Sequence, residues 1–254
     1  ADMLKSSFFP DATLNFAENL LEHDQPAGKI ALIERSERGA RNTLSWGQLR
    51  AKTNQLACRF KALGIEPGDR VAAALPNGIA AAVAMLATTK LGAIWCSCSP
   101  DFGVDAMVDR FVQIDPKIML GCSDYRYGGK RFDCTDKFKA LQHRLESDTV
   151  LIIYQLDLPL AETHAEELPY VQLPFAAPVF IMFSSGTTGA PKCIVHSIGG
   201  TLLKQRSEHA LHCDLGASDT LMFFTTCGWM MWNWLIGALA GGTTIVLYDG
   251  SPFY

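Results

Sequence analysis

A stretch rich in glycine and hydroxyl side chains, residues 184–192, carries the residue types best suited to binding phosphate. It reads Ser-Ser-Gly-Thr-Thr-Gly-Ala-Pro-Lys and follows an apolar run, 179–183, with the length and composition of a buried strand. Glycine lets backbone N–H groups approach an anion closely, hydroxyl groups add donors, and lysine supplies a mobile positive charge. Because residues 194–212 are predicted to be helical, the expected layout is a strand, a phosphate loop and a helix.

This loop differs from the common P-loop, which requires Gly-Lys-Ser/Thr at its end. Here Lys192 follows Pro191 and precedes Cys193. An ordinary polar turn is the alternative interpretation, but the consecutive residues all suit phosphate binding. The stretch resembles the phosphate loop of the adenylate-forming enzymes, the superfamily of acyl-CoA synthetases, luciferases and peptide-synthetase adenylation domains. It fits their pattern, Ser/Thr-Ser-Gly-Ser/Thr-Thr-Gly-x-Pro-Lys, without a departure.

The resemblance implies that the loop binds the β- and γ-phosphates of ATP and guides the departing pyrophosphate. Such transfers depend mainly on positioning and charge neutralisation, usually with Mg²⁺. ATP, Mg²⁺ and CoA are therefore the expected cofactors and co-substrates. The implied catalytic residues are Lys192, Thr187 and Thr188. The implied phosphate-binding residues are Ser184, Ser185, Gly186, Thr187, Thr188, Gly189 and Lys192.

A second candidate site lies at 225–234, which reads Thr-Thr-Cys-Gly-Trp-Met-Met-Trp-Asn-Trp. So many large apolar side chains usually form core. Asn233 and the Thr-Thr-Cys-Gly segment nevertheless add polar groups, and small-ligand pockets are mostly apolar with a few placed polar groups. From the residues alone, core and pocket both remain open.

Several blocks of the chain resemble the acetoacetyl-CoA synthetase family, from about residue 14 to the end. In that family the Gly-Trp segment lines the acyl pocket, which implies a pocket made by Trp229, Met230 and Asn233, with Trp229 as its wall. Acetyl-CoA synthetases have Gly-Trp-Val-Thr-Gly-His where this chain has Gly-Trp-Met-Met-Trp-Asn, so a β-keto acid is favoured over acetate. Asn233 is a hypothetical donor to the keto oxygen. The blocks are 101–104, 109–111, 113–117, 195–197, 228–234 and 248–252.

The segment Tyr127-Gly128-Gly129-Lys130 stands where acetyl-CoA synthetases carry an Arg-Gly-Gly-Lys-like element that contacts the CoA nucleotide. The resemblance implies a CoA contact at Gly128, Gly129 and Lys130, although tyrosine replaces the arginine. A solvated glycine turn is an equally good interpretation.

Two groups of potential metal ligands have suitable spacing, Cys96-Ser97-Cys98 and His209-x-x-His212-Cys213. A buried strand and exposed histidines are the favoured interpretations, so no metal site is predicted. The eight cysteines are scattered and are expected to be reduced thiols. His196 is expected to cap the phosphate loop or to pack beneath it.

The net charge and the length of the apolar stretches exclude some classes of function. A net charge of −4 offers no basic excess for nucleic acid. The apolar stretches 71–98 and 229–248 are interrupted and fall short of the ~20 apolar residues of a membrane span. No signal peptide is expected, and a cytoplasmic location is predicted. The predicted partners are small molecules: acetoacetate, ATP and CoA. The oligomeric state is not indicated.

Predicted strands and helices alternate, which indicates an α/β fold with mostly parallel sheets and helices on both faces. The chain, 1–254, is expected to form the N-terminal portion of the large adenylating domain, without the rest of that domain or the small C-terminal domain. Ser45 and Gln48 have capping-box spacing, and Gly64 suits a helix C-terminus. Strands are expected at 30–35, 42–44, 70–75, 94–97, 118–121 and 150–155, and helices at 15–21, 46–63, 79–91, 106–114 and 135–145.

The predicted function of the parent protein is ATP-dependent conversion of acetoacetate to acetoacetyl-adenylate, followed by transfer to CoA. Residues 1–254 alone are predicted to be inactive, because the family's adenine segment, ribose-binding aspartate, hinge and C-terminal catalytic lysine lie downstream of Tyr254. The alternatives are a ligase for another short acid, such as acetate or propionate, and a non-catalytic nucleotide-binding module. A weak third alternative is a peripheral membrane role for 229–248.

Overall fold

The computed structural model describes residues 7–39, 41–145, 166–184, 189 and 191–254. In chain order, the strands are β1 Thr13–Leu14, β2 Ile30–Ser36, β3 Arg41–Ser45, β4 Arg70–Ala74, β5 Ile94–Cys98, β6 Ile118–Gly121, β7 Asp124–Tyr127, β8 Lys130–Asp133, β9 Leu173–Pro174, β10 Pro178–Phe183, β11 Cys193–Ser197, β12 Thr220–Met222 and β13 Thr244–Asp249. The α-helices are α1 Phe16–Leu21, α2 Trp46–Ala62, α3 Ile79–Lys90, α4 Val104–Phe111, α5 Thr135–Arg144, α6 Ile198–Ser207 and α7 Met230–Gly237.

Two sheets organise these elements. The larger has the order β11-β10-β5-β4-β6, and its strands are parallel except for β11, which is antiparallel to β10. The other has the order β12-β13-β2-β3 and is parallel except for β3. The short pairs β1–β9 and β7–β8 are antiparallel. The predicted α/β fold with mostly parallel sheets is confirmed.

Helix α2 shows how local sequence sets an element boundary. The Gln48 amide N–H donates to Ser45 Oγ at 3.3 Å, and the Ser45 N–H donates to Gln48 Oε1 at 2.9 Å, so the predicted capping box is confirmed. Gly64 has φ +83°, the left-handed conformation that ends helices at glycine, as predicted. Trp46 and Phe60 are fully buried on the inner face.

Helix α3 forms the centre of the core. Its side chains from Ala81 to Lys90 are buried on every side, and the helix contacts α1, α2, β2 and β5. Alanines let these neighbours approach closely, which explains a helix without a polar face. A carboxylate from the other sheet binds the N-terminus of α3, because the Ile79 N–H donates to Glu34 Oε2 at 2.7 Å.

The helix predicted at 194–212 is wrong over its first residues. Residues 193–197 form strand β11, which pairs with β10 so that Phe183 faces Cys193 and Ile181 faces Val195. The β-branched pair Ile-Val at 194–195 suits a strand, and long-range pairing outweighs helical propensity there. The helix begins at Ile198, since Ser197 Oγ accepts the Gly200 N–H at 3.3 Å as an N-cap. The phosphate loop therefore joins two antiparallel strands, not a strand and a helix.

Other differences are smaller. Helix α4 ends at Phe111, three residues before the predicted end, and a turn follows. Neither the hairpin β7–β8 nor the two-residue strand β9 was predicted. The predicted strand 150–155 lies outside the described residues. Among the described helices, none is long and apolar enough to cross a membrane.

Candidate functional site

The ends of the phosphate loop are tied together by two hydrogen bonds. The Ser184 N–H donates to the Lys192 carbonyl at 3.0 Å, and the Lys192 N–H donates to Ser184 Oγ at 3.3 Å. Lys192 and Gly189 are exposed. The other predicted phosphate ligands, Ser185, Gly186, Thr187 and Thr188, lie outside the described residues.

His196 belongs to the strand that leaves the loop. It lies in β11 opposite Phe180, and its half-buried ring has a pKa lowered by burial. The two roles considered for His196, capping the loop and packing beneath it, stay predictions.

The aromatic stretch at 225–234 contains both buried and exposed side chains. Trp232 is fully buried, lies 6.2 Å from the Trp95 ring and donates from Nε1 to Asn77 Oδ1 at 2.9 Å. Trp229 is 67% exposed and Met230 51% exposed. The core interpretation therefore holds for part of the stretch, whereas Trp229 and Met230 present free apolar surface.

Asn233 connects this helix to the phosphate-loop strand. It is buried, and its Nδ2 donates to Met182 Sδ at 3.4 Å. Met182 is two residues from Ser184 in the chain, so the two candidate sites are adjacent. The Asn233 Oδ1 is buried without a hydrogen-bond partner among the described residues. A buried amide oxygen without a partner is uncommon and marks a place where a ligand group could bind.

Gly228 lies directly against the C-terminal end of β5 in the larger sheet. A Cβ atom at Gly228 would lie 3.2 Å from Cys98 Cα, closer than ordinary contacts allow. Ser97 Oγ donates to the Cys227 carbonyl at 2.6 Å and holds the same segment. Glycine therefore allows residues 227–229 to pass directly over the C-terminal end of β5.

A cavity of about 270 Å³ opens at the C-terminal ends of β4, β5 and β13. In open parallel sheets, ligands bind at this edge. Among the described residues that line it are Asn77, Asp101, Arg126, Tyr127 and Asp249. Trp229, Met230 and Asn233 are not among its lining residues, whereas Thr225 and Thr226 of the same stretch are.

The predicted CoA contact lies in the turn of hairpin β7–β8 beside this cavity. Gly128 has φ +59° and Gly129 φ +76°, which turns both amides the same way. Both amides already have a partner, because Gly128 and Gly129 donate to the Glu37 carboxylate at 2.9 Å each. Ser251 adds a third N–H bond at 3.0 Å. These amide bonds, that of Ser251 first, hold the pKa of Glu37 below its usual value.

Glu37 was not recognised from the sequence. It is 91 residues from Gly128, and a carboxylate at the end of β2 carries no local signal of such a contact. With the glycine amides occupied, the side chains of Arg126 and the exposed Lys130 are the groups of this turn that are left to meet an anion.

If the hairpin turn binds CoA, as the resemblance implies, replacing Glu37 with alanine should raise the KM for CoA several-fold and leave acid-dependent pyrophosphate release unchanged. Loss of the carboxylate frees the Gly128–Gly129 turn that carries Lys130, while the phosphate loop lies elsewhere. Steady-state kinetics of the two half-reactions of the whole protein would show this. An unchanged KM for CoA would disprove the link, and Glu66→Ala, at an exposed turn, is the control.

Asp249 is a half-buried acid in the cavity wall. Burial first, and then the Glu34 and Glu37 carboxylates, raise its pKa to about 6. A raised folded-state pKa means that ionised Asp249 costs stability. The cost is absent below the unfolded pKa near 4, grows as pH rises from about 4 to 6, and is complete above that range.

Asp249→Asn is therefore expected to stabilise the protein by about 1–3 kcal/mol at pH 8 and by little at pH 4. Thermal unfolding of the whole protein and this variant from pH 4 to pH 8 measures the difference. A gain that did not depend on pH would show that the carboxyl group does not titrate in this range.

The cysteines and histidines with metal-ligand spacing lie in different surroundings. Cys96 and Cys98 are buried in β5, where burial raises both thiol pKa values, that of Cys98 to about 12. All eight cysteines lie in the described residues as free thiols. His209 is buried 4.6 Å from the Trp234 ring and His212 is exposed, so the exposed interpretation is wrong for His209. Within the described ranges, no His, Cys, Asp and Glu side chains form a group of three suited to a metal.

Comparison with known proteins points to one group. The sequence model of the family described as AMP-binding enzyme matches residues 21–254. Acetoacetyl-coenzyme A synthetase of Rhizobium meliloti is 49% identical over 99% of this chain and 41% of its own length. Acetoacetyl-CoA synthetase of Rattus norvegicus is 42% identical over 96% of this chain and 40% of its own length.

A solved structure agrees with these relatives. Acetoacetyl-CoA Synthetase from Streptomyces lividans superposes with a TM-score of 0.89 at 41% identity, covering 97% of this chain and 40% of that one. Malonamoyl-CoA synthetase of Penicillium aethiopicum is also 41% identical, over 98% of this chain and 38% of its own length. The chain therefore spans about 40% of the length of the relatives that it matches.

Proposed function

Since the chain belongs to the AMP-binding enzyme family, we propose that the whole protein is an acid–thiol ligase that converts acetoacetate, ATP and CoA to acetoacetyl-CoA, AMP and pyrophosphate. Residues 1–254 would form the N-terminal part of its large adenylating domain. The observation that carries the proposal is the contact between buried Asn233 and Met182, which brings the predicted acid pocket beside the phosphate loop. The free thiols suit a reducing compartment, so the proposed location is the cytoplasm.

In the first step, a carboxylate oxygen of acetoacetate attacks the α-phosphorus of ATP. A new P–O bond forms, the bond to the β-phosphate oxygen breaks, and pyrophosphate leaves with the electron pair. Lys192, exposed at the end of the loop, would offset the charge that develops on the leaving group. Mg²⁺ bound to the ATP phosphates would offset the same charge.

In the second step, the CoA thiolate attacks the acyl carbon and AMP leaves. The cavity at the ends of β4, β5 and β13 lies beside the Tyr127-to-Lys130 turn, and we place CoA there. Arg126 lines the cavity and Lys130 is exposed at its margin, so both could neutralise the phosphates of CoA. Part of the ligand would then lie against Tyr127 and Phe132.

A ligase for a different short acid is the second candidate. The observation that favours it is the relative named malonamoyl-CoA synthetase, which is as similar to this chain as several acetoacetyl-CoA synthetases are. Trp229 and Met230 are exposed at the start of α7, so the acid-binding wall can change with little effect on the core.

The test is acid-dependent release of pyrophosphate from ATP by the whole protein, with acetoacetate, malonamate, acetate, propionate and 3-hydroxybutyrate compared. Preference for acetoacetate supports the proposal. Preference for another acid would support a ligase whose substrate is that acid instead of acetoacetate. No release with any acid, while ATP still binds, would favour a non-catalytic nucleotide-binding module.

A further inference from the structure

We propose that helix α4 and the turn after it fix the position of the phosphate loop through two side chains, Arg110 and Gln113. They contact the loop stem, defined as residues 183–184 and 191–193 at the two ends of the loop. This inference rests on the proposed function, because it assigns positioning residues for Lys192 in that reaction.

Gln113 holds the C-terminal side of the loop stem. Its Nε2 donates to the Pro191 carbonyl at 2.9 Å, and its Oε1 accepts the Cys193 S–H at 3.5 Å. Nε2 also donates to the Asp109 carbonyl at 2.5 Å, in the last turn of α4. The two residues on either side of Lys192 are thus bound to one side chain, which is itself fixed to a helix.

Arg110 contacts the N-terminal side of the loop stem. Its guanidinium lies 5.7 Å from the centre of the Phe183 ring and 4.7 Å from that of Phe102, within cation–π range. Nη1 donates to the Ala106 carbonyl at 2.6 Å, which fixes the side chain along its own helix. Phe183 is the residue before Ser184 and faces Cys193 across the hairpin. Arg110 and Gln113 therefore act on opposite strands at the same level.

The loop stem needs such support because of its place in the sheet. Strand β11 is at the sheet edge among the described strands, and Ile194 and Val195 are 48% and 58% exposed. An edge strand lacks a neighbour on one side, and a glycine-rich loop has much conformational freedom to lose. Charge stabilisation of a leaving group works only if the charge is held in place beforehand. Gln113 supplies a side-chain contact on both sides of Lys192.

The first test compares Gln113→Ala, Gln113→Met and Arg110→Met in the whole protein by ATP–pyrophosphate exchange. Gln113→Met keeps the volume and loses the hydrogen bonds. We expect each Gln113 variant to raise the KM for ATP about tenfold, with a melting temperature close to that of the unchanged protein. Val112→Ala, at an adjacent 58% exposed side chain, is the matched control and should change neither value. Arg110→Met is also expected to raise the KM for ATP. An unchanged KM for ATP in both Gln113 variants would overturn the proposal for Gln113, and an unchanged value in Arg110→Met would overturn it for Arg110.

The second test does not depend on catalysis. Cys193 loses its hydrogen bond when Gln113 is replaced, so its alkylation by iodoacetamide should accelerate at least twofold. Cys213 is also exposed and serves as the internal control, followed by peptide mass spectrometry. Equal alkylation rates of Cys193 with and without Gln113 would count against the contact, even if the whole protein showed no ligase activity.

A double-mutant cycle shows whether Gln113 acts through Lys192. If it does, adding Gln113→Ala to Lys192→Ala should slow pyrophosphate exchange by much less than it does alone. If the two substitutions slowed exchange by independent factors that multiply in the double variant, this would contradict the proposal that Gln113 positions Lys192.

Discussion

Replacing Lys192 with alanine is expected to slow formation of the acyl-adenylate about 10²- to 10³-fold, the usual effect of removing one group that stabilises developing charge. The lysine is exposed at the end of the phosphate loop, and its N–H is bound to Ser184 Oγ. In the part of the chain that the structure describes, no carboxylate forms an ion pair with its ammonium group. The charge is therefore available to a phosphate.

The measurement is single-turnover release of pyrophosphate by the whole protein with saturating acid. Lys192→Arg keeps the charge but changes its shape, so it should recover only part of the rate. Lys204→Ala removes an exposed lysine of helix α6 and is the control for net charge. A rate within threefold of the unchanged protein in Lys192→Ala would exclude a role for this lysine in the first step.

Replacing Asn233 with alanine is expected to lower kcat/KM for acetoacetate about ten- to hundredfold and to change that for acetate little. A site that hydrogen-bonds a substrate oxygen discriminates against acids that lack this oxygen, and it loses that discrimination when the hydrogen-bonding side chain is removed. Asn233 is suited to this because it is buried, its Nδ2 carries two hydrogens, and one of them is directed to Met182 Sδ. The second hydrogen could meet the keto oxygen.

Substrate comparison separates this role from a structural one. If Asn233 only supports helix α7, Asn233→Ala should reduce the activity with acetoacetate and acetate by the same factor and lower the melting temperature. Met231→Ala changes a half-buried side chain of the same helix and gives the matched control for packing. Unchanged acid preference in Asn233→Ala would contradict the hypothesis.

The local features of this protein could be predicted from its sequence. The Ser45–Gln48 capping box and the left-handed Gly64 depend on residues within a few positions of each other. The phosphate loop is also local, because its glycines, hydroxyls and lysine occur in one uninterrupted run. The sequence therefore determined the α/β class and, to within one residue, the bounds of helices α1, α2, α3 and α5.

The tertiary structure alone decided what depends on partners far along the chain. Residues 193–197 became a strand because β10 pairs with them, and Trp232 but not Trp229 became core because of where α7 packs. The Gly128 and Gly129 amides, read as part of a CoA site, turned out to bind Glu37, 92 residues from Gly129. Gln113 meets Pro191 across 78 residues. Such contacts leave no periodic pattern, because their energy depends on which elements the folded chain brings together.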